Sequence, residues 1–156
     1  MFGLNELKKF LVLAKKATYA SGKTSQEVKE SNKSKSLYFE YEDFKYHDNY
    51  FGGEPYGGRE VVFYKNNPVY LMAYYGCVNN LIDDLNLVYN FLRAALSLIP
   101  EENPYRGPKE YKRDNMVYVN DFIGDIYDFS GEEKIIKDGI EIYRAKYIGG
   151  FINKKV

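Results

Sequence analysis

A carboxylate placed among aromatic side chains must find hydrogen-bond donors or keep its proton. Asp48 has that setting. Strand alternation over residues 44–51 puts Phe44, Tyr46, Asp48 and Tyr50 on one face. Two further acids follow closely, Glu54 in the glycine loop 51–58 and Glu60 just beyond it. The stretch Asn103-Pro104-Tyr105-Arg106-Gly107-Pro108 presents a tyrosine and a guanidinium on a loop stiffened by two prolines. An arginine fork held in this way suits a carboxylate or a phosphate at low ordering cost. It equally suits an internal salt bridge to Asp48, Glu54 or Glu60. Tyr46, Asp48, Tyr50, Glu54, Glu60, Tyr74, Tyr105 and Arg106 therefore form the candidate ligand-binding set.

Other chemistry is poorly supported. Residues 17–24 fit a loosened phosphate-loop pattern, but they leave a helix and enter a polar coil, the reverse of the required strand-to-helix context. His47 and Cys77 could make a nucleophilic dyad, yet nothing in the spacing brings them together. One His and one Cys with unpatterned carboxylates make no metal-ligand set, and the single cysteine excludes a disulfide framework. No catalytic residue, metal or cofactor is assigned.

These residues must be positioned by an α+β domain. Residues 4–18 have helical spacing at Leu7, Phe10, Leu11, Ala14 and Ala17, with Lys8, Lys9, Lys15 and Lys16 read as a solvated opposite side. Residues 21–36 are rich in Ser and Lys and read as a mobile loop. Strand-like runs follow at 37–42, 44–51, 59–65 and 69–75, then a long helix at 81–99 capped by Asn80 and stopped by Pro100. A second set of runs covers 116–121, 123–129, 133–137 and 140–147. The expectation is antiparallel meanders in two repeat-like halves of four strands, about 37–76 and 116–150, with both helices packed on the sheet in one domain of residues 1–156.

The halves share more than element order. Asp48-x-Tyr50 aligns with Asp125-x-Tyr127, Phe51-Gly-Gly-Glu54 with Phe129-Ser-Gly-Glu132, and Tyr70-x-x-x-Tyr74-x-Gly76 with Tyr143-x-x-x-Tyr147-x-Gly149. On this alignment the favoured reading has both aspartates tie their own turns and the alternative puts Asp48, Glu54 and Glu60 around a tyrosine-walled pocket; the first copy keeps what is particular: the longer glycine loop, Glu54, Glu60 and the Arg106 loop.

Composition limits the partners. The chain has 156 residues, with 22 Lys and Arg against 22 Asp and Glu, so no net field draws it to nucleic acid. Seventeen tyrosines and no tryptophan favour half-buried sheet faces and pocket walls. No run reaches membrane-spanning length and no signal pattern opens the chain, which reads as cytoplasmic.

Residues 10–20, the stretch Tyr46-x-Asp48-x-Tyr50-Phe51-Gly52-Gly53-Glu54, Gly58-x-Glu60-x-Val62 and Pro104-Tyr105-Arg106-Gly107-Pro108 together resemble a microbial domain family of unknown function. That family occurs alone or behind an Xre-type helix-turn-helix, which this chain lacks. The resemblance implies a soluble prokaryotic-type module, with an effector or dimerisation role where the domain follows a DNA-binding domain, and transfers no catalytic residue. Small-molecule binding or interaction is the favoured function. The alternatives are a hydrolase with Glu54 or Glu60 as general base and a homo-oligomer paired through strand edges.

Overall fold

The computed structural model describes residues 2–21 and 27–153. Helix α1 (Leu4–Ala17) leads into a 3₁₀ turn (Tyr19–Ser21). Five strands follow: β1 (Val28–Lys29), β2 (Lys35–Tyr41), β3 (Phe44–Gly52), β4 (Tyr56–Tyr64) and β5 (Asn67–Val78). Helix α2 (Leu85–Leu96) then precedes β6 (Glu110–Arg113), β7 (Met116–Asp125), β8 (Asp128–Lys137) and β9 (Ile140–Phe151). All nine strands join one antiparallel sheet in the order β1-β2-β3-β4-β5-β9-β8-β7-β6. The α+β class and antiparallel sheet are as expected. The strands divide five before α2 and four after it, not four and four.

Several boundaries differ for local reasons. Of the expected mobile loop 21–36, residues 22–26 lie outside the described residues, and the rest holds β1 and the turn into β2, closed by Asn32 accepting from Ser34 N and Oγ. The phosphate-loop-like stretch lies partly outside the described residues. Helix α2 begins four residues later than the apolar spacing suggests, because Asp84 rather than Asn80 caps it by accepting from Leu87 N at 3.1 Å. Strand β7 runs without a break through Phe122, and the turn falls at 125–128, where Asp125 accepts from Tyr127 N at 2.9 Å. At matching ends of the β3–β4 and β7–β8 hairpins, Gly52 and Gly124 have φ of +80° and +87°. A Cβ there would stand 2.4 Å from Pro55 O and 2.0 Å from Asp128 O, so only glycine fits.

The sheet buries one face. Cross-strand register puts Tyr46, Val62 and Tyr70 in one row, and Tyr118, Ile135 and Tyr143 in another. Helix α1 covers the first region with Leu7, Phe10, Leu11 and Ala14, beside Phe44, Tyr46, Val62, Tyr70 and Met72. Helix α2 covers the second with Val88, Phe91, Leu92 and Ala95, beside Met116, Tyr118, Ile135 and Tyr143. The helices thus share a face of the sheet and meet near the 3₁₀ turn. The opposite face carries Glu132, Lys134, Arg144 and Lys146 in exposed or half-exposed ion pairs, each worth about 0–1 kcal/mol.

One lysine of the presumed solvated stripe is misplaced by that reading. Lys15 is fully buried. It follows Leu7 and Leu11 at intervals of four, which turns it to the flank of the apolar face, while Lys8, Lys9 and Lys16 fall elsewhere.

Candidate functional site

Two buried polar clusters lie under the helices, and cross-strand register relates them. Asp48 pairs with Glu60, and Glu60 with Met72; Asn120 pairs with Glu133, and Glu133 with Ala145. Register then slips after Val62 in one meander and after Ile135 in the other. The chain carries each first-meander residue again 72 or 73 positions later: Tyr46 and Tyr118, Asp48 and Asn120, Glu60 and Glu133, Tyr70 and Tyr143, Tyr74 and Tyr147. The last two face each other across the β5–β9 seam.

The second cluster is closed on itself. Glu133, with no exposed surface, accepts from Arg106 Nε at 3.1 Å and from Arg106 Nη2 at 2.5 Å. Tyr118 OH donates to its other oxygen at 2.5 Å, and Tyr143 OH donates at 3.0 Å. Asn120 accepts from Tyr147 OH at 2.6 Å and donates to Gly107 O at 3.0 Å. Burial pulls Arg106 down, but the Glu133 charge together with Tyr56, Tyr19 and Tyr143 offsets it and holds the guanidinium above its ordinary range. A buried pair with this many supporting donors is well compensated.

The first cluster uses the same residue types with looser satisfaction. Lys15 Nζ stands 2.9 Å from Glu60 Oε2 and donates to Tyr105 O at 2.5 Å. Burial lowers the Lys15 pKa, opposed by Glu60. Among the described residues the hydroxyls of Tyr46 and Tyr70, counterparts of Tyr118 and Tyr143, have no hydrogen-bond partner, and neither has Glu60 Oε1. Burial and the Glu60 charge raise both phenols well above their usual value.

Asp48, 3 % exposed, accepts from Tyr74 OH at 2.5 Å. Burial and then the charge of Glu60 push its carboxyl up to about 7, against the Tyr74 hydrogen bond and the charges of Arg106 and Lys15, which pull it down. Beside it lies a cavity of about 290 Å³ between the 3₁₀ turn, α2 and strands β2 to β5. Tyr19, Tyr50, Tyr56, Tyr74 and Tyr89 wall it, with Leu37, Leu92 and Leu96 as apolar lining and Arg106, Arg93, Glu27 and Lys35 as charged lining. The guanidinium of Arg106 lies 5.5 Å from the Tyr19 ring centre and 5.9 Å from that of Tyr74.

The predicted set therefore divides. Asp48, Tyr50, Tyr74 and Arg106 line the cavity. Glu60 is ion-paired beneath it and Tyr46 belongs to the α1 core. Glu54 is a structural clasp: it accepts from Val78 N at 2.7 Å and from Tyr89 OH, tying the β3–β4 turn to β5 and α2. Tyr105 stacks on Phe129 at 3.9 Å in the core. Arg106 points inward as expected, but its partner is Glu133, not Asp48, Glu54 or Glu60. Asp125, aligned in sequence with Asp48, is exposed at a turn, and Asn120 occupies the corresponding buried place. His47 lies on the other face, 3.0 Å from Ser36 Oγ and stacked on Tyr38, away from Cys77. Among the described residues no group of three or more His, Cys, Asp or Glu could hold a metal ion.

Sequence reasoning missed Lys15, Tyr19, Glu133 and Asn120. Two signals were available. Alternation puts Glu133 with Phe129, Gly131 and Ile135, and Tyr118-x-Asn120-x-Phe122 repeats the pattern of Tyr46-x-Asp48-x-Tyr50.

The architecture is thus a single-layer antiparallel sheet with two helices on one face and a buried polar floor between them. The chain belongs to a family described as a domain of unknown function, DUF5680, whose profile matches residues 48–152. Its match begins at Asp48, so α1 and the 3₁₀ turn, which contribute Lys15 and Tyr19, precede the matched region. No match was found among curated proteins or among solved structures. Among the described residues no helix is long and apolar enough to cross a membrane.

Proposed function

We propose that this chain is a small-molecule-binding module of the sensory type, with its site in the cavity beside Asp48. The observation that supports it most is the difference between the two polar clusters: Asn120 and Glu133 are fully answered by their own chain, whereas Asp48 faces a tyrosine-walled space with one protein donor. A volume of about 290 Å³ sits at the lower edge of the ~300–1,000 Å³ typical of ligand sites, which suits a metabolite-sized ligand. The repeated positions support a duplicated frame in which one copy became structural and the other stayed open. Titration of the ¹⁵N-labelled protein with a fragment library tests the reading. Binders should move the amide signals of Thr18, Tyr19, Asp48 and Tyr74. Binders that move only signals elsewhere, or a library without binders, would refute it.

A second reading has one specific support. A carboxyl held at about 7 beside a cavity is what a general acid or base needs, so acid–base catalysis would use Asp48 in place of Glu54 or Glu60. Turnover in a hydrolase substrate screen, lost in Asp48→Asn, is the expected sign.

A further inference from the structure

We propose that the ligand is a small organic cation, an ammonium or guanidinium whose N–H groups donate to Asp48 on the floor of the tyrosine-walled cavity. This deepens the binding reading above and rests on it. Among the described residues three carboxylates lie buried between helices and sheet, Asp48, Glu60 and Glu133, against two cations, Lys15 and Arg106. Lys15 stands against Glu60 and Arg106 against Glu133. Asp48 is the carboxylate left over, so its ionised form lacks one positive charge.

The corresponding place in the other meander indicates what should fill that lack. Tyr147 donates to Asn120 much as Tyr74 donates to Asp48, at 2.6 Å and 2.5 Å. The Asn120 amide completes itself by donating to Gly107 O. An ionised Asp48 can only accept, so its second partner must be a donor. A donor that is also a cation supplies the missing charge as well, and the faces of the tyrosine rings favour it. An anion would instead meet the Asp48 carboxylate, and two of the lining cations, Lys35 and Arg106, are already paired with Glu27 and Glu133. Arg93, the cavity-lining cation that hydrogen-bonds only the neutral Asn90, lies on α2 and offers the competing anion site.

The titratable and charged groups around Asp48 and its cavity come from every surrounding element: Lys15 on α1, Tyr19 on the 3₁₀ turn, Glu27 before β1, Lys35 on β2, Tyr50 on β3, Tyr56 and Glu60 on β4, Tyr74 on β5, Tyr89 and Arg93 on α2, and Arg106 after it. Burial raises the phenols of Tyr19, Tyr50, Tyr74 and Tyr89, so they stay neutral through neutral pH. Cation binding must then displace a proton from Asp48 below about 7. Affinity rises about tenfold per pH unit up to that point and levels above it.

Benzylammonium and agmatine, with benzoate and benzyl alcohol as comparison probes, test this by calorimetry and by amide shifts between pH 5.5 and 8.5. The expected result is binding of at least one cation with that pH dependence, lost in Asp48→Asn and retained in Arg93→Ala. Preferential binding of benzoate or benzyl alcohol at the cavity, insensitive to Asp48→Asn, overturns the cation assignment and leaves cavity binding standing. Absence of any cavity shift with all four probes overturns the cation assignment and counts against the binding reading too.

Discussion

Asp48→Asn separates a carboxylate kept for function from one kept for stability. In the folded chain the Asp48 carboxyl is lifted from 3.8 to about 7, first by burial and then by Glu60. An acid with a raised folded-state pKa binds more protons folded than unfolded between those two values, so stability falls as pH rises through that window and is flat above it. At ~1.4 kcal/mol per pH unit the ceiling is about 4 kcal/mol. Asparagine keeps an acceptor for Tyr74 and has no charge to bury, as Asn120 does beneath Tyr147. Urea denaturation of both proteins from pH 4 to pH 8.5 should show equal stability near pH 4. The variant should gain steadily towards pH 7, by up to about 4 kcal/mol, with no further gain above. The neutral-favouring shift of His47 is present in both proteins and cancels. A difference that does not change with pH, or a variant weaker at pH 8 than at pH 4 relative to its parent, would refute the placement of Asp48 among uncompensated charges.

The two buried ion pairs should respond differently to removal. Glu133→Gln leaves Arg106 without its counter-charge and should cost about 3–5 kcal/mol, read as a fall in the urea midpoint. The Lys15–Glu60 pair has fewer dependants, since Tyr46 and Tyr70 do not bond to Glu60. Lys15→Met alone should cost a similar ~3–5 kcal/mol, while Lys15→Met with Glu60→Leu should return to within ~2 kcal/mol of the parent in a double-mutant cycle. A Cβ at Gly131 would lie 2.3 Å from the Tyr147 ring, so Gly131→Ala should lower stability by ~1–3 kcal/mol and perturb the Tyr147 and Asn120 signals in NMR spectra.

Much of the frame was legible because it is written in short-range patterns. Alternation locates β3, β4 and β5, Asp138-Gly139 marks the β8–β9 turn, and apolar spacing finds both helices. The errors come from contacts that local patterns do not encode. Lys15 looks like a surface lysine until Glu60 and the Tyr105 carbonyl, 45 and 90 residues away, come to meet it. Asp125 looked like the partner of Asp48 because identical residues attract an alignment, whereas register puts an amide there. The Arg106 loop suits an internal salt bridge to the first half, but its partner lies in the second, in a Glu-Lys-rich stretch that resembles a solvated strand. Four of the eight residues named from sequence line the cavity; the lining that sequence did not name comes from the 3₁₀ turn and α2, as with Tyr19, Leu92 and Leu96, and from the neighbouring strands, as with Leu37 and Tyr56.

Among the described strands, seven neighbouring pairs are consecutive in the chain, and only β5 with β9 joins distant segments. Local hairpins close at little entropic cost, while this one seam must bring together ends separated by α2 and three strands. We expect it to be the slow step of assembly, so hairpins should gain protection from hydrogen exchange before the β5–β9 seam does. Tyr74 and Tyr147 stand opposite each other on that seam. On that expectation the hydroxyls that bond Asp48 and Asn120 come into line only when the two meanders join.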